Sequence, residues 1–363
     1  VKSPLAITGL DVLTPLDSPD GGAPNSGRAA SWESIRAGRR VQRNVAVNDY
    51  FLEGEPELDR SIRMALGVAR RTLAGRTAGD THLFCGTSKG PVGICLHVLD
   101  LLRQGLPIPP LAARQVALGV GAMGALLGER LNLASGHTSV AACSSGLFAL
   151  HRAAQALWRG ECQRALIVAA DASLHPLFEG SFARLGVLAP LDDTGARQCE
   201  PFAAHGNGFF LAEAAAALLL EAPDSRPSNA PPLAWLDASW TGGDGSGLIA
   251  IDERGESLRR GLCACTPQGP LAFIHAHATG TAHDRFELAA IQAAVPPTTP
   301  VFSSKRWLGH SLGAAGLLSA ALSLRCHQRG ETLDGRPVPA GSSSLTIAQG
   351  FGGHIGIVRL RGA

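Results

Sequence analysis

The stretch Gly136-His137-Thr138-Ser139-Val140-Ala141-Ala142-Cys143-Ser144-Ser145-Gly146-Leu147, continued through Asp171, decides the fold. His137 to Ala142 is β-biased, Cys143-Ser144-Ser145-Gly146 turns the chain, Leu147 to Gly160 has helical spacing, and Ala165 to Ala170 is a second buried strand. This strand, turn, helix, strand unit places Cys143 at or next to a helix N-terminus. Unpaired backbone N–H groups and the helix dipole favour the thiolate there, which makes a nucleophile. Free cysteine is also among the most buried residue types, so packing alone accounts for Cys143 equally well on this stretch.

The 363 residues, 45% of them hydrophobic, suffice for one large or two modest domains with a full core. A net charge of +2, with acids and bases dispersed, argues against a nucleic-acid footprint or a polybasic membrane anchor. No uninterrupted apolar run of ~18 residues and no signal-like start are read, so no membrane association and a cytoplasmic location are expected. Eight dispersed cysteines without a CxxC pair are unlike a disulfide framework. Cys263 and Cys265 form a CxC with no second half, so no metal site is expected.

Along the chain, Leu5 to Val12 reads as a strand, Ser31 as the cap of a short helix, and Asp59 as the cap of a longer one with Ile62, Leu66, Ala69 and Leu73 on one face. Thr81 to Cys85 is a strand and Val92 to Arg103 a helix, broken by Pro107, Pro109 and Pro110. The small-residue segment Val116 to Leu131 reads as a helix packed on a partner surface. Residues 222–232, rich in Pro, Ser and Asn, divide an N-terminal half, 1–221, from a C-terminal half, 222–363. Beyond them come strands near Leu233 to Ser239 and Leu271 to His275, a helix from Glu253 to Leu262, a helix from Gly313 to Leu324, and a closing strand from Ile355 to Leu360. Alternating strands and helices mean an α/β layered fold, and the likeness of the halves hints at duplication.

Three distant stretches need one explanation: Ala142-Cys143-Ser144-Ser145-Gly146, His277-Ala278-Thr279-Gly280-Thr281, and Lys305 with Gly309-His310-Ser311-Leu312-Gly313-Ala314-Ala315-Gly316. In order and spacing the chain resembles the β-ketoacyl-acyl carrier protein synthases, the decarboxylating condensing enzymes of the thiolase fold. Ile7-Thr8-Gly9-Leu10 and Gly350-Phe351-Gly352-Gly353 extend the resemblance to both ends.

The resemblance implies a thiolase-like α-β-α-β-α architecture of two pseudo-duplicated halves. It implies that Cys143 takes an acyl group from a carrier thioester, with the backbone N–H groups of Cys143 and Phe351 as an oxyanion hole and Gly350 and Gly352 allowing close approach. His277 and His310 would stabilise the enolate left when a malonyl thioester loses carbon dioxide. Lys305 would pair with Glu287 and orient His277, since a buried lysine needs a partner. Glu213 matches a structural glutamate. His137, His205, His275 and His283 are expected to be satisfied or surface histidines. No cofactor is implied, the substrates being carried on the phosphopantetheine of an acyl carrier protein. The partners implied are that carrier, docking on arginines among Arg36, Arg39, Arg40, Arg43, Arg60, Arg63, Arg70 and Arg71, and a homodimer or a heterodimer with a related subunit.

Departures bear on the substrate. Ala278 replaces a glycine, the loop from Thr281 to Asp284 is one residue short, and Ala203, Gly206 and Asn207 stand where the family carries Asp, Arg and Asp. They favour a specialised fatty-acid, polyketide or polyene pathway. Leu101, Ile108, Phe148, Phe182 and Phe351 are candidates to line an acyl pocket. Two other readings compete. Gly309-His310-Ser311-Leu312-Gly313 and Gly86-Thr87-Ser88-Lys89-Gly90 both read as the G-x-S-x-G of a serine hydrolase, but the first follows a polar stretch, and the second leaves the Cys143 and His277 stretches unexplained. Some relatives lack the cysteine and set chain length as a non-catalytic subunit; this chain keeps Cys143, His277, His310 and Lys305.

Overall fold

The computed structural model describes residues 2–17, 27–41, 46–76, 80–223, 231–250, 252–267 and 269–363. Five strands come from the first half: β1 (Leu5–Leu13), β2 (Thr81–Gly86), β3 (Ser135–Ser139), β4 (Arg164–Asp171) and β5 (Ala214–Glu221). Five come from the second: β6 (Ala234–Gly243), β7 (Leu271–His275), β8 (Val301–Phe302), β9 (Ser343–Gly350) and β10 (His354–Gly362). Their hydrogen-bonded order is β3-β2-β4-β5-β1-β6-β10-β9-β7-β8. Read outward from the β1/β6 seam, both halves give the same sequence of strands, first, fifth, fourth, second, third. In both, the two outer pairings are parallel and the two inner ones antiparallel. A shared topology of this detail is the mark of duplication.

Two helices, α6 (Ser145–Trp158) and α11 (Ala315–Arg329), touch strands of both halves. One layer can meet both ends of a ten-stranded sheet only if the sheet bends at its seam, so the central helices are enclosed between two five-stranded leaves. Helix α2 (Arg60–Leu73) covers the outer face of the first leaf, and α8 (Glu256–Cys265) that of the second. The order is α-β-α-β-α. The pattern follows from composition, because β4 and β5 are apolar on both faces and need cover on both. Close approach at the centre rests on glycine: a Cβ on Gly146 would lie 2.8 Å from Leu317 Cβ, so any side chain there would push α6 off α11.

Asp59 caps α2 as expected, its carboxylate accepting the Ser61 N–H at 2.8 Å. Other expectations are corrected. The first helix, α1 (Gly27–Arg36), already begins at Gly27, so Ser31 lies inside it. Helix α3 (Val92–Arg103) stands as read, but Pro109 and Pro110 open α4 (Pro110–Leu118), since proline's missing N–H costs nothing in a first turn. The helix read over Val116 to Leu131 breaks at Gly119, whose φ of 54° takes the chain through a short 3-10 turn before α5 (Ala122–Leu131). Pro110–Leu131, with mean hydropathy 1.4, is long and apolar enough to cross a membrane, which a count of uninterrupted apolar runs does not register. Helix α7 (Pro176–Arg184), helix α9 (Asp284–Ala294), the short helix α10 (Lys305–Leu308) and strand β9 complete the elements around the site. Most of the 222–232 divide falls outside the described residues.

Candidate active site

Cys143 follows β3 and precedes the N-terminus of α6, as the sequence predicts. Ala142 holds φ +48°, a left-handed conformation costly for a residue with a Cβ, and this turns the thiol out of the strand line. Leu312, with φ +46°, stands in the same place before α11, three residues ahead of the helix in both halves. The duplicated turn therefore carries a cysteine in one half and Gly313 in the other.

A cavity of about 140 Å³ joins the two halves, bordered by Cys143, His277, His310, Phe351 and Gly350 among others. His310 Nε2 lies 3.1 Å from the Cys143 sulfur. The two imidazoles meet edge to face with centroids 5.6 Å apart. His310 is pinned by the first half: its N–H donates to the Phe210 carbonyl at 2.9 Å, and its carbonyl accepts from Ala212 at 3.1 Å. Phe209 stands edge-on to its ring at 4.9 Å. The closing turn presses on the peptide of Cys143, a Cβ on Gly350 coming within 2.6 Å of the Ala141 carbonyl oxygen and 3.0 Å of the Cys143 nitrogen. Gly352 needs no side chain for its φ of +85°.

Electrostatics correct one expectation. Burial pushes the Cys143 thiol up to about 11, outweighing the opposite pull of Lys305 and Lys89, so at rest the group is a thiol. Burial, then Lys305, holds both imidazoles well below their usual range, and His310 adds to the effect on His277. The resting contact is thus Sγ–H donating to a neutral Nε2. The ring's second nitrogen, Nδ1, is buried with no hydrogen-bond partner among the described residues.

Lys305 and Glu287 are both buried, but no ion pair within 4.0 Å joins them among the described residues, contrary to the direct pairing expected. They grip one peptide from its two sides. The Lys305 ammonium donates to the His277 carbonyl, and Glu287 accepts the N–H groups of His277 and Ala278 at 2.7 and 2.8 Å. Burial first, and then Asp284, raise Glu287, while burial lowers Lys305 against the pull of Glu287. His277 is therefore positioned through its main chain. Glu213 stands apart from the cavity, holding Arg60 and the Val47 N–H at 2.8 Å each.

Two departures from the family pattern explain each other. A Cβ on Gly206 would fall 2.6 Å from the Thr281 carbonyl carbon and 2.8 Å from the Ala282 nitrogen, so the shortened loop closes directly onto residue 206. Asp284 ties that loop by accepting from Thr279, Gly280 and Phe202. Ala278 is fully buried beside Ala276 and Ala290, where its methyl is accommodated.

Of the histidines set aside, His275 is satisfied by Ser323 and the Ser304 N–H, each at 3.1 Å, while His137 and His205 are exposed. His283 differs: it borders the cavity, and its Nδ1 is buried without a partner among the described residues. Phe182 and Phe351 reach the cavity; Leu101, Ile108 and Phe148 do not. Of the arginines proposed for docking, Arg36 pairs with Glu331, Arg40 with Glu200, Arg60 with Glu213, Arg70 with Glu53 and Arg71 with Asp11; Arg36, Arg39, Arg40 and Arg70 stay exposed, and none borders the cavity. Arg43 lies outside the described residues. Neither Ser88 nor Ser311 has a histidine hydrogen-bonded to its hydroxyl among the described residues, which removes the hydrolase's essential contact. Sequence reading missed Asp171. Buried at the end of β4, it accepts from Thr87 Oγ1 and the N–H groups of Ser88, Lys89 and Gly313, and so joins the halves; burial raises it to about 6. A polar residue ending an apolar strand was the available signal.

Residues 27–225 match the family described as beta-ketoacyl synthase, N-terminal domain, and residues 264–333 its C-terminal domain. The 3-oxoacyl-[acyl-carrier-protein] synthase 2 of Mycobacterium leprae is 30% identical over 72% of this chain, the match spanning 66% of that protein, just under two thirds. The tetracenomycin polyketide synthase ketoacyl synthase alpha subunit of Streptomyces glaucescens is 26% identical over 87% of this chain and 83% of its own. Among solved structures, the ishigamide ketosynthase/chain length factor superposes with a TM-score of 0.85 at 23% identity, covering 100% of both chains. That likeness shows the fold, the thiolase-like α/β arrangement that the sequence led one to expect.

Proposed function

The chain belongs to the β-ketoacyl synthase family, and from that premise we propose that it joins a Cys143-bound acyl chain to a malonyl unit, with loss of carbon dioxide, to give a β-ketoacyl thioester on an acyl carrier protein. The observation that carries this reading is the 3.1 Å contact of the Cys143 sulfur with His310 Nε2, beside His277 on one cavity. In the first half-reaction the sulfur attacks the carrier thioester while its proton passes to Nε2. Collapse breaks the old carbon–sulfur bond, and the leaving carrier thiolate takes that proton. Thioester replaces thioester, so the step is near balance.

Once acylated, the sulfur offers no proton, and His310 is free to carry its hydrogen on Nε2. In the second half-reaction the bond to the malonyl carboxylate breaks, carbon dioxide leaves, and the electron pair moves into a thioester enolate. Neutral Nε2–H groups of His277 and His310 stabilise its oxygen without surrendering a proton, which suits imidazoles whose burial resists a second charge. The enolate carbon attacks the acyl carbonyl, the N–H groups of Cys143 and Phe351 hold the oxyanion, its collapse breaks the carbon–sulfur bond, and the departing Cys143 thiolate takes one proton from solvent. No metal or redox group enters these steps. Carbon dioxide release drives them.

The halves 1–221 and 222–363 then divide the work, nucleophile in one and histidines in the other. The proposal includes a cytoplasmic location, a specialised pathway, and a dimer formed with a second copy or a related subunit. The face formed by α3, α4 and the turn before α5 exposes Leu99, Leu102, Leu106, Val116, Leu118 and Val120, and β3 is an open sheet edge beside it. Exposed apolar area next to an unpaired edge supports burial against another chain. The test is intact-protein mass after incubation with acyl-carrier thioesters, beside Cys143→Ala. One acyl adduct, lost in the variant, is expected; absence of any adduct in a preparation that includes its subunit partner would sink the reading.

A further inference from the structure

Only three of the 32 basic residues are lysine. Lys305 is committed to the His277 carbonyl, and Lys2 to Gln155 and the Trp158 ring. Lys89 is different. Among the described residues its ammonium has no carboxylate and no hydrogen-bond acceptor; it lies 5.6 Å from the ring centroid of Phe178 and 6.0 Å from that of Phe182. The side chain is half-buried. Its backbone is clamped, because the N–H groups of Ser88 and Lys89 both donate to Asp171 and Gly90 donates to Thr87 Oγ1. The stem therefore starts from a fixed point.

Phe182 is the link to the reaction. It borders the same cavity as Cys143 and lies within reach of the ammonium. The charge of Lys89 is felt at the Cys143 sulfur, where it favours the thiolate. The carboxylates bordering the cavity, those of Asp244, Asp252, Asp284 and Glu287, all come from the second half. One wall thus carries acids, and the wall along Phe182 leads to an unneutralised cation. A half-buried ammonium beside aromatic rings, with no carboxylate paired to it among the described residues, keeps its N–H donors for an acceptor oxygen.

Resting on the condensing-enzyme reading, we propose that Lys89 is a specificity-determining residue that receives an acyl chain bearing oxygen at its far end, a keto group or a carboxylate, as the chain runs from Cys143 along Phe182. An upstream reaction must then supply acyl thioesters that are oxygenated rather than fully reduced at the end remote from sulfur.

Loading of Cys143 is followed by intact mass with N-acetylcysteamine thioesters of octanoyl, 7-oxooctanoyl and 7-carboxyheptanoyl chains, which present no carrier protein. The wild type is expected to load one or both oxygen-tipped chains about tenfold faster than octanoyl, and Lys89→Met to bring that ratio to about one. Lys89→Arg should retain the preference. Preference for the carboxylate alone identifies an anionic tail, and preference for both identifies a keto tail as sufficient. Any change in Cys143 reactivity, measured with iodoacetamide, cancels in the ratio. An unchanged ratio in Lys89→Met, or a wild-type preference for octanoyl, overturns the role of Lys89 while leaving the condensing reaction intact. If no chain loads the wild type, the parent reading falls with it.

Discussion

At Cys143 a helix N-terminus and two lysines pull toward thiolate while the surrounding protein resists charge, and burial prevails. The consequence is a pH profile. Alkylation by iodoacetamide should rise about tenfold per pH unit from 7 toward 10, following a thiol titrating near 11. A plateau below pH 8 would instead mean a preformed thiolate and imidazolium pair. Lys305 offers a second test, since its ammonium donates to the His277 carbonyl and, among the described residues, hydrogen-bonds to neither the Cys143 sulfur nor His310, on which it acts by charge alone. Lys305→Met should lower malonyl decarboxylation about a hundredfold, the scale of a lost transition-state donor, and lower acylation of Cys143 by clearly less, through the lost pull of its charge on the thiol. Equal losses in both half-reactions would show a structural defect instead. That Cys143, His277 and His310 belong together was legible because their neighbours are sequence motifs, and the structure brings all three to one cavity. That Lys305 and Glu287 meet through the His277 peptide was not, because residue identity says nothing of which atom of a backbone a side chain will reach.

The elements were legible where one physical rule governed them. Asp59 capping α2 is such a case, as is the doubly apolar β4. They failed where tertiary context intervened, at Gly119 inside an apolar run and at Ser31, read as a cap but lying inside α1. Two predictions belong here. Gly146→Ala places a methyl 2.8 Å from Leu317 Cβ, and the forced separation of α6 from α11 should cost about 1–3 kcal/mol, read as a lower unfolding midpoint. A neutral result would show that the central layer yields. Asp171→Ala strands the N–H groups of Ser88, Lys89 and Gly313, and a loss on the order of 3 kcal/mol is expected by urea titration. Because burial raises Asp171 from 3.8 to about 6, the folded state binds its proton more tightly than the unfolded chain does. Its contribution to stability is therefore present below pH 4 and falls as pH rises to 6.

For the whole molecule, the exposed apolar residues of α3 and α4 and the open edge at β3 point to assembly. Sedimentation should find a dimer, alone or with a related subunit, and Leu102→Glu combined with Val120→Asp should leave a folded monomer. A wild-type monomer under conditions of full activity would remove the need for a second chain. The bent ten-stranded sheet also places the candidate site across both halves. His310 belongs to the second half yet is bonded on both sides by Phe210 and Ala212 of the first.

By itself the sequence determined the α/β class, the duplication in outline and the three residues at the centre of the site, because strand and helix periodicities and short motifs are local properties of a chain. Only the tertiary structure decided the protonation state of Cys143, the clamp on the His277 peptide, the fit of Gly206 to a shortened loop and the isolation of Lys89 beside Phe182. Each of these depends on what a distant segment displaces, since burial removes water and leaves a charge or a peptide to whatever partner the fold brings near.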